Sequence, residues 1–369
     1  LFALINCSPR PSDYIEVNTK NSNKDLTYKL SQFQLDADSI AFNVFDVYHD
    51  GTNEHLIIMN SLSKMMEIYN LTKNKLVFRK PYHYLANEGI KSIEFYNYDS
   101  IFILQENFIF LVDTTRIKLS ININTDKGQY KTIVLSNLDH APIYFDGKKN
   151  TLSIQSYCYA CPTYSKSFYT SPIHVSLSID TENFIDLPIR YPTIYLNSYY
   201  GFHNIIHRME YADRYMISFS ADPNLYIYNK LSNKVIIKGA KSKYQTNTIN
   251  PLNKRYKSDA NMKLKHITLE PLYREVFYDV FRNLYYRFYM TGIKEKNNDG
   301  TFNLWEDKDL ILMVFDSDIH LITEINLGKG IYNSAKSFVG EQGLYLYKNK
   351  YEDTTLLKNN LYYDVFKID

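Results

Sequence analysis

Five times along this chain an apolar strand ends in Asn or Asp, crosses a short turn and re-enters a second strand. The copies are EIYN-LTKNKLVFRK (Glu67–Lys80), FLVD-TTRIKLSI (Phe110–Ile121), SLSID-TENFIDLPI (Ser176–Ile189), LYIYN-KLSNKVIIKG (Leu225–Gly239) and LMVFD-SDIHLITEINL (Leu312–Leu327). A recurring unit of this kind decides the whole fold, because one repeat cannot bury its own apolar face. The Asn or Asp serves the turn physically, since its short side chain caps it and tolerates left-handed backbone.

A second hairpin precedes the first in each unit. These hairpins span Phe42–Asn60, Lys91–Gln105, Ala141–Gln155, Asn204–Ser220, Tyr273–Met290 and Ala335–Asn349. Two hairpins make four strands, which is one propeller blade. Six units over 369 residues give about 61 residues each, longer than a standard blade repeat, and the excess is loop. The chain ends on a half-copy, YYDVFKID, and Asn23–Lys29 resembles the missing partner strand. The expected fold is therefore an all-β, six-bladed propeller of four-stranded antiparallel blades over residues 23–369. The N-terminal strand completes the last blade and removes the open edge between first and last. Lys241–Asp259 reads as a basic, polar insertion, although the long connection from Gly239 to Tyr273 could hide a seventh blade. No segment sustains a helical period over three turns with convincing caps.

Loop lengths separate two faces. With the strands of a blade lettered a to d from the axis outward, the a–b and c–d turns are short almost everywhere. The b–c and d–a connections are long, and in an up-and-down blade these leave from one face. Function concentrates on loops held by a rigid scaffold. The expected ligand-binding residues on that face are Tyr82, His83, Tyr199, Tyr200, His203, Asn204, His207, Arg208, Glu270, Tyr273, Arg274 and Trp305. Tyr84, Tyr191, Tyr195 and Glu275 are near them in sequence. Tyr and Trp give contact area at low entropic cost, and Arg gives planar recognition of carboxylates. A glycan, a peptide or an envelope protein would fit such a set. The chain holds 35 Tyr, and packing between blades is the competing explanation for them.

Several classes are disfavoured. A net charge of +2 leaves no electrostatic footprint for nucleic acid. Phosphate-cradling glycine loops, nucleophile elbows and His-Glu-x-x-His are absent from the sequence. His203 and His207 would lie roughly 13 Å apart on a strand and could not share a metal without a bulge. Asp316-Ser317-Asp318 reads as an ordinary turn. No cofactor, no metal and a monomer are expected. The alternatives are a channel-mouth hydrolase using Glu270, His207 and Arg208, and a structural subunit of an envelope complex.

The N-terminal residues Leu1–Ile5 form an apolar stub, followed by Asn6, Cys7 and the polar stretch Ser8–Asp13. This resembles the tail of a bacterial lipoprotein signal, with Cys7 as the lipidated residue. Residues 1–22 are then leader and linker, and the protein is exported to the cell envelope and lipid-anchored rather than membrane-spanning. In an oxidising compartment Cys158 and Cys161 could form a local disulfide; two structural or inert free thiols, or redox or metal chemistry, are the alternatives. Together with the Tyr/Asn-rich strands and the segment YREVFYDVFRNLYYRFYM, the lipoprotein-like start resembles a gut-bacterial family of unknown function, domain-of-unknown-function family 4221. The resemblance implies a propeller and an exported lipoprotein, and implies no activity.

Overall fold

The computed structural model describes residues 28–36, 42–60, 63–82, 89–105, 108–123, 142–158, 161–349 and 360–368. Cys7, His83 and Tyr84 lie outside them. The described strands form six four-stranded antiparallel sheets. After a first strand, β1 (Tyr28–Asp36), blade 1 comprises β2 (Phe42–His49), β3 (Glu54–Asn60), β4 (Met65–Asn70) and β5 (Lys75–Pro81). Blade 2 comprises β6 (Ser92–Asn97), β7 (Ser100–Leu104), β8 (Phe108–Val112) and β9 (Ile117–Asn122). Blade 3 comprises β10 (Tyr144–Asp146), β11 (Thr151–Gln155), β12 (His174–Ser178) and β13 (Phe184–Asp186). Blade 4 comprises β14 (Ile206–Tyr211), β15 (Arg214–Phe219), β16 (Leu225–Asn229) and β17 (Lys234–Lys238). Blade 5 comprises β18 (Leu272–Asp279), β19 (Leu284–Met290), β20 (Asp309–Phe315) and β21 (Leu321–Lys329). Blade 6 comprises β22 (Tyr332–Gly340), β23 (Gly343–Lys348), β24 (Asn360–Ile368) and, as its outermost strand, β1.

The ring closes as expected, but on a later segment. Tyr28 to Asp36 pair antiparallel with Ile368 to Asn360. The closing strand thus begins at the end of the predicted Asn23–Lys29 stretch, whose residues 23–27 lie outside the described residues. The described residues hold six sheets and no seventh. The first strand of each blade lies innermost: β2 contacts β6 and β22, β6 contacts β10, and β18 contacts β14 and β22.

The core lies between blades rather than at one centre. Val44, Ile57 and Ile68 of blade 1 meet Ile93, Ile101 and Ile103 of blade 2. Phe45, Leu56 and Ile58 of blade 1 meet Phe338, Tyr345 and Tyr363 of blade 6 across the closure. Central strands are covered on both faces and read as continuous apolar runs, as in β3, whereas the outermost β5 alternates. Tyr69, Tyr273, Tyr286, Tyr289, Tyr345 and Tyr363 are fully buried, so inter-blade packing accounts for much of the tyrosine excess.

The turns divide the two expected Asn/Asp roles between two residues. The strand-ending residue caps: Asn70 Oδ1 accepts from Lys73 N at 2.7 Å, Asp113 Oδ1 from Thr115 N at 2.6 Å, and Asn229 Oδ1 from Ser232 N at 2.7 Å. In blades 1 and 4 a second Asn, four residues on, takes the left-handed conformation: Asn74 at φ 48° and Asn233 at φ 58°.

The described residues hold three short α-helices, none of which reaches three full turns. They are α1 (Lys166–Thr170), α2 (Thr193–Asn197) and α3 (Ala260–Leu269). Asp259 caps α3 by accepting from Met262 N at 3.0 Å. With ten residues α3 is too short for a three-turn period to register. Cys158 and Cys161 are joined by a disulfide, Cα atoms 5.3 Å apart.

Candidate functional site

The antiparallel order places the b–c and d–a connections on one side of the ring. Among the described residues every helical turn lies there: α1 on the b–c loop of blade 3, α2 on the link between blades 3 and 4, and α3 between blades 4 and 5. The 3₁₀ turns Lys254–Tyr256 and Trp305–Asp307 lie there too. This side is the elaborated face, and the other is trim.

Most nominated residues lie beneath that face, not on it. His203 is fully buried, its Nδ1 3.2 Å from Tyr200 O and its Nε2 3.1 Å from Pro271 O. Burial and the neighbouring His266 and Lys308 hold its pKa well below the usual imidazole range. Tyr199, Tyr200 and Tyr273 are buried. Tyr273 OH donates to Gln245 Oε1 at 2.6 Å and accepts from Ser242 N at 3.0 Å, tying the insertion to blade 5. Tyr195 OH donates to His203 O and Tyr191 OH to Asn204 O, each at 2.8 Å. The Glu270 carboxylate accepts from Asn250 N at 2.9 Å and Asn250 Nδ2 at 3.0 Å, within the insertion. Tyr82, half-buried, donates to Asn60 O at 2.8 Å, and burial pushes its pKa up to about 12.

Arg208 staples blade 4 to blade 3, donating to Ser153 Oγ at 2.8 Å and Pro142 O at 2.6 Å. Arg274 pairs with Glu275 at 2.9 Å and lies 5.5 Å from the half-buried Trp305 ring. His207 Nδ1 lies 3.6 Å from the same Glu275 carboxylate. The three hydrolase suspects therefore have structural engagements, with Glu270 holding the insertion through Asn250.

Above this layer runs an apolar groove of about 180 Å³. Leu264, Lys265, Thr268 and Leu269 of α3 form one wall, and Glu295, Phe302, Asn303 and Leu304 of the blade 5 b–c loop form the other. Leu264, Phe302 and Leu304 are 49%, 64% and 63% exposed. The walls are fastened together. Ile293 N donates to Thr268 O at 3.3 Å, and a Cβ on Gly292 would come within 2.3 Å of Leu269 O. Lys308 donates to the carbonyls of Ile267 and Glu270 at the end of α3, where a cation complements the helix dipole. Burial pushes that lysine down to about 7.

The groove's polar groups are already engaged. Lys265 and Glu295 pair at 2.7 Å, Thr268 Oγ1 donates to Leu264 O at 3.0 Å, and Asn303 Nδ2 donates to Lys294 O at 2.9 Å. Residue types alone did not single out these walls, because Leu264, Leu269 and Phe302 stand singly in polar sequence and only Trp305, next to Leu304, was singled out.

The axis carries a second constellation missed in the sequence. Inner strands expose unpaired backbone groups, and side chains of the preceding blade reach across to them. Asp46 Oδ2 accepts from Phe95 N at 2.6 Å, Ser92 Oγ from Ile143 N at 3.2 Å, and Glu94 Oε1 from Phe145 N at 3.4 Å. The available signal was an acidic residue inside an apolar strand, as in Phe45-Asp46-Val47 and Ile93-Glu94-Phe95. Burial raises Asp46 to about 6, and burial with the Asp46 charge raises Glu94 well above the usual carboxylate range. A carboxyl raised on folding favours the native state below its unfolded pKa, and that contribution is lost as pH rises through the folded value. Glu94→Gln keeps the acceptor for Phe145 N and removes the charge. Its melting temperature should match the parent near pH 4 and exceed it at pH 8. A variant less stable than the parent at pH 8 would contradict the assignment.

On the trim face Asp316, Asp318 and His320 bring ligand-type atoms within 4.8 Å of one another. Asp316 is held in its own turn, accepting from Asp318 N and His320 N at 2.9 Å each.

Known proteins confirm the architecture. A crystal structure of a DUF4221 family member from Bacteroides vulgatus superposes with a TM-score of 0.77 at 20% identity, covering 94% of this chain and 99% of that one. An exported-protein candidate from Bacteroides fragilis superposes with a TM-score of 0.58 at 11% identity, covering 95% and 98%. At these identities the likeness establishes the fold alone. No curated protein matches the chain. The profile described as "Domain of unknown function (DUF4221)" matches residues 12–326, and the chain belongs to that family.

Proposed function

We propose that this protein is an exported, envelope-anchored binding module whose elaborated face takes up an apolar polypeptide segment. One observation carries the reading. The groove between α3 and the blade 5 loop presents exposed Leu264, Leu269, Phe302 and Leu304, while its polar side chains are engaged by the protein itself. A glycan needs several convergent hydrogen-bonding groups, whereas an apolar side-chain row needs only area to cover, at about 25 cal/mol per Å². The peptide and protein options are thereby favoured over the glycan. Export is supported by the lipoprotein-like Leu1–Cys7 pattern, the Cys158–Cys161 disulfide and the Bacteroides fragilis neighbour. Among the described residues no helix is long and apolar enough to cross a membrane.

Panning a random displayed-peptide library against the purified chain tests this. Recovered peptides should be rich in Leu, Phe and Trp. Phe302→Asp with Leu304→Asp should weaken them at least tenfold at unchanged melting temperature. Binding that survives the double change, or peptides selected for charge alone, would overturn the assignment. Triple alanine replacement of Tyr199, Tyr200 and His203 is expected to unfold the face, because those side chains are buried.

A further inference from the structure

Strand direction fixes where the chain leaves the ring. In blade 6, β24 runs from the elaborated to the trim face, and β1 pairs antiparallel to it with Tyr28 opposite Ile368. Tyr28 therefore lies at the trim face, and everything before it attaches there. Residues 8–27 would link Cys7 to that point, a length that reaches at most about 70 Å extended and roughly 25 Å as a flexible coil.

The same face carries its own exposed apolar side chains. Tyr96, Tyr98, Tyr211, Val280 and Phe281 stand at the a–b turns, and Leu231 stands at the c–d turn of blade 4. Leu231, Val280 and Phe281 are 79%, 50% and 46% exposed. Tyrosine pairs an apolar ring with a polar tip and suits a boundary that is apolar on one side and wet on the other. The balanced charge gives no general attraction to anionic lipid, so a tether must supply the local concentration.

We infer that the trim face is turned toward the lipid bilayer that anchors the chain, with these turn tips settling on its interface, so that the apolar groove points away from the membrane. This rests on the anchoring reading above. It also fixes where a partner must come from: the aqueous side, not the membrane plane.

The full lipidated chain in phosphatidylethanolamine/phosphatidylglycerol (3:1) vesicles tests it. A donor dye is placed at Lys148→Cys on the trim face or Asn261→Cys on α3, both exposed, and an acceptor dye on lipid. Energy transfer should be at least twofold stronger from position 148. Equal or reversed transfer in a membrane-bound chain overturns the orientation. Changing Leu231, Val280 and Phe281 to Ser should reduce the difference by about half while the chain stays bound, and an unchanged difference overturns the turn-tip contact. A Cys7→Ala chain should fail to float with the vesicles. If it floats as the parent does, the anchoring reading itself fails, and this inference with it.

Discussion

A chain starting at Phe42, and so lacking β1, is expected to aggregate, and to recover a monomeric ring when a peptide covering Tyr28–Asp36 is supplied. β1 contributes nine paired positions to β24. At about 1 kcal/mol per net hydrogen bond its loss removes roughly 5 kcal/mol or more, comparable to the whole stability of many domains. Phe33 also packs edge-on against Tyr345, ring centroids 5.2 Å apart. The uncovered strand, NLYYDVFKI, would be a long apolar edge and a template for self-association. Size-exclusion chromatography and melting curves with and without the peptide decide the matter. A truncated chain that is monomeric with an unchanged melting temperature would show that closure is not what holds the ring.

The second large effect is expected at Arg287. Its side chain is fully buried between blades 5 and 4. Nε donates to Ser218 Oγ at 2.9 Å, Nη1 to Pro223 O at 2.5 Å, and Nη2 to Asp222 O at 2.9 Å. The guanidinium lies 3.8 Å from the Tyr273 ring. Burial pushes its pKa down to about 10, so it keeps its charge at neutral pH. Arg287→Met preserves length and apolar packing but strips those acceptors of their donor in a site closed to water. The expected cost is about 3–5 kcal/mol, or a melting temperature roughly 5–10 °C lower. Amide exchange should rise first in β14, β15 and β18. Arg287→Lys should recover only part of the loss, because an ammonium cannot match the planar fork. A methionine variant within 1 kcal/mol of the parent would remove Arg287 as the staple.

The repeat was legible because each blade writes alternation and turn chemistry into its outer hairpin, as in LYIYN-KLSNKVIIKG. Closure was legible because the half-copy YYDVFKID carries one strand of an outer hairpin and Asn23–Lys29 resembles the other. The register of that partner was not. Asn23–Lys29 copies the pattern of Asn74–Lys80, but pairing sets Phe33 opposite Tyr363 with its ring edge-on to Tyr345, a contact that only tertiary structure selects. For the candidate site, loop length identified the elaborated face, because antiparallel strands force those loops to one side. It carried no information on depth. Tyr199, Tyr200, His203 and Tyr273 therefore read as exposed aromatics, although they are the floor on which α3 and its insertion rest. Leu264 and Phe302 became a groove only when two segments far apart in sequence met.

The most direct test of the binding face is a hydrogen–deuterium exchange footprint of the chain with its tightest selected peptide. Protection is predicted at Ala260–Leu269 and across residues 291–308, with the a–b turns unchanged. Protection confined to those turns or to the inner strands, with α3 unaffected, would contradict it.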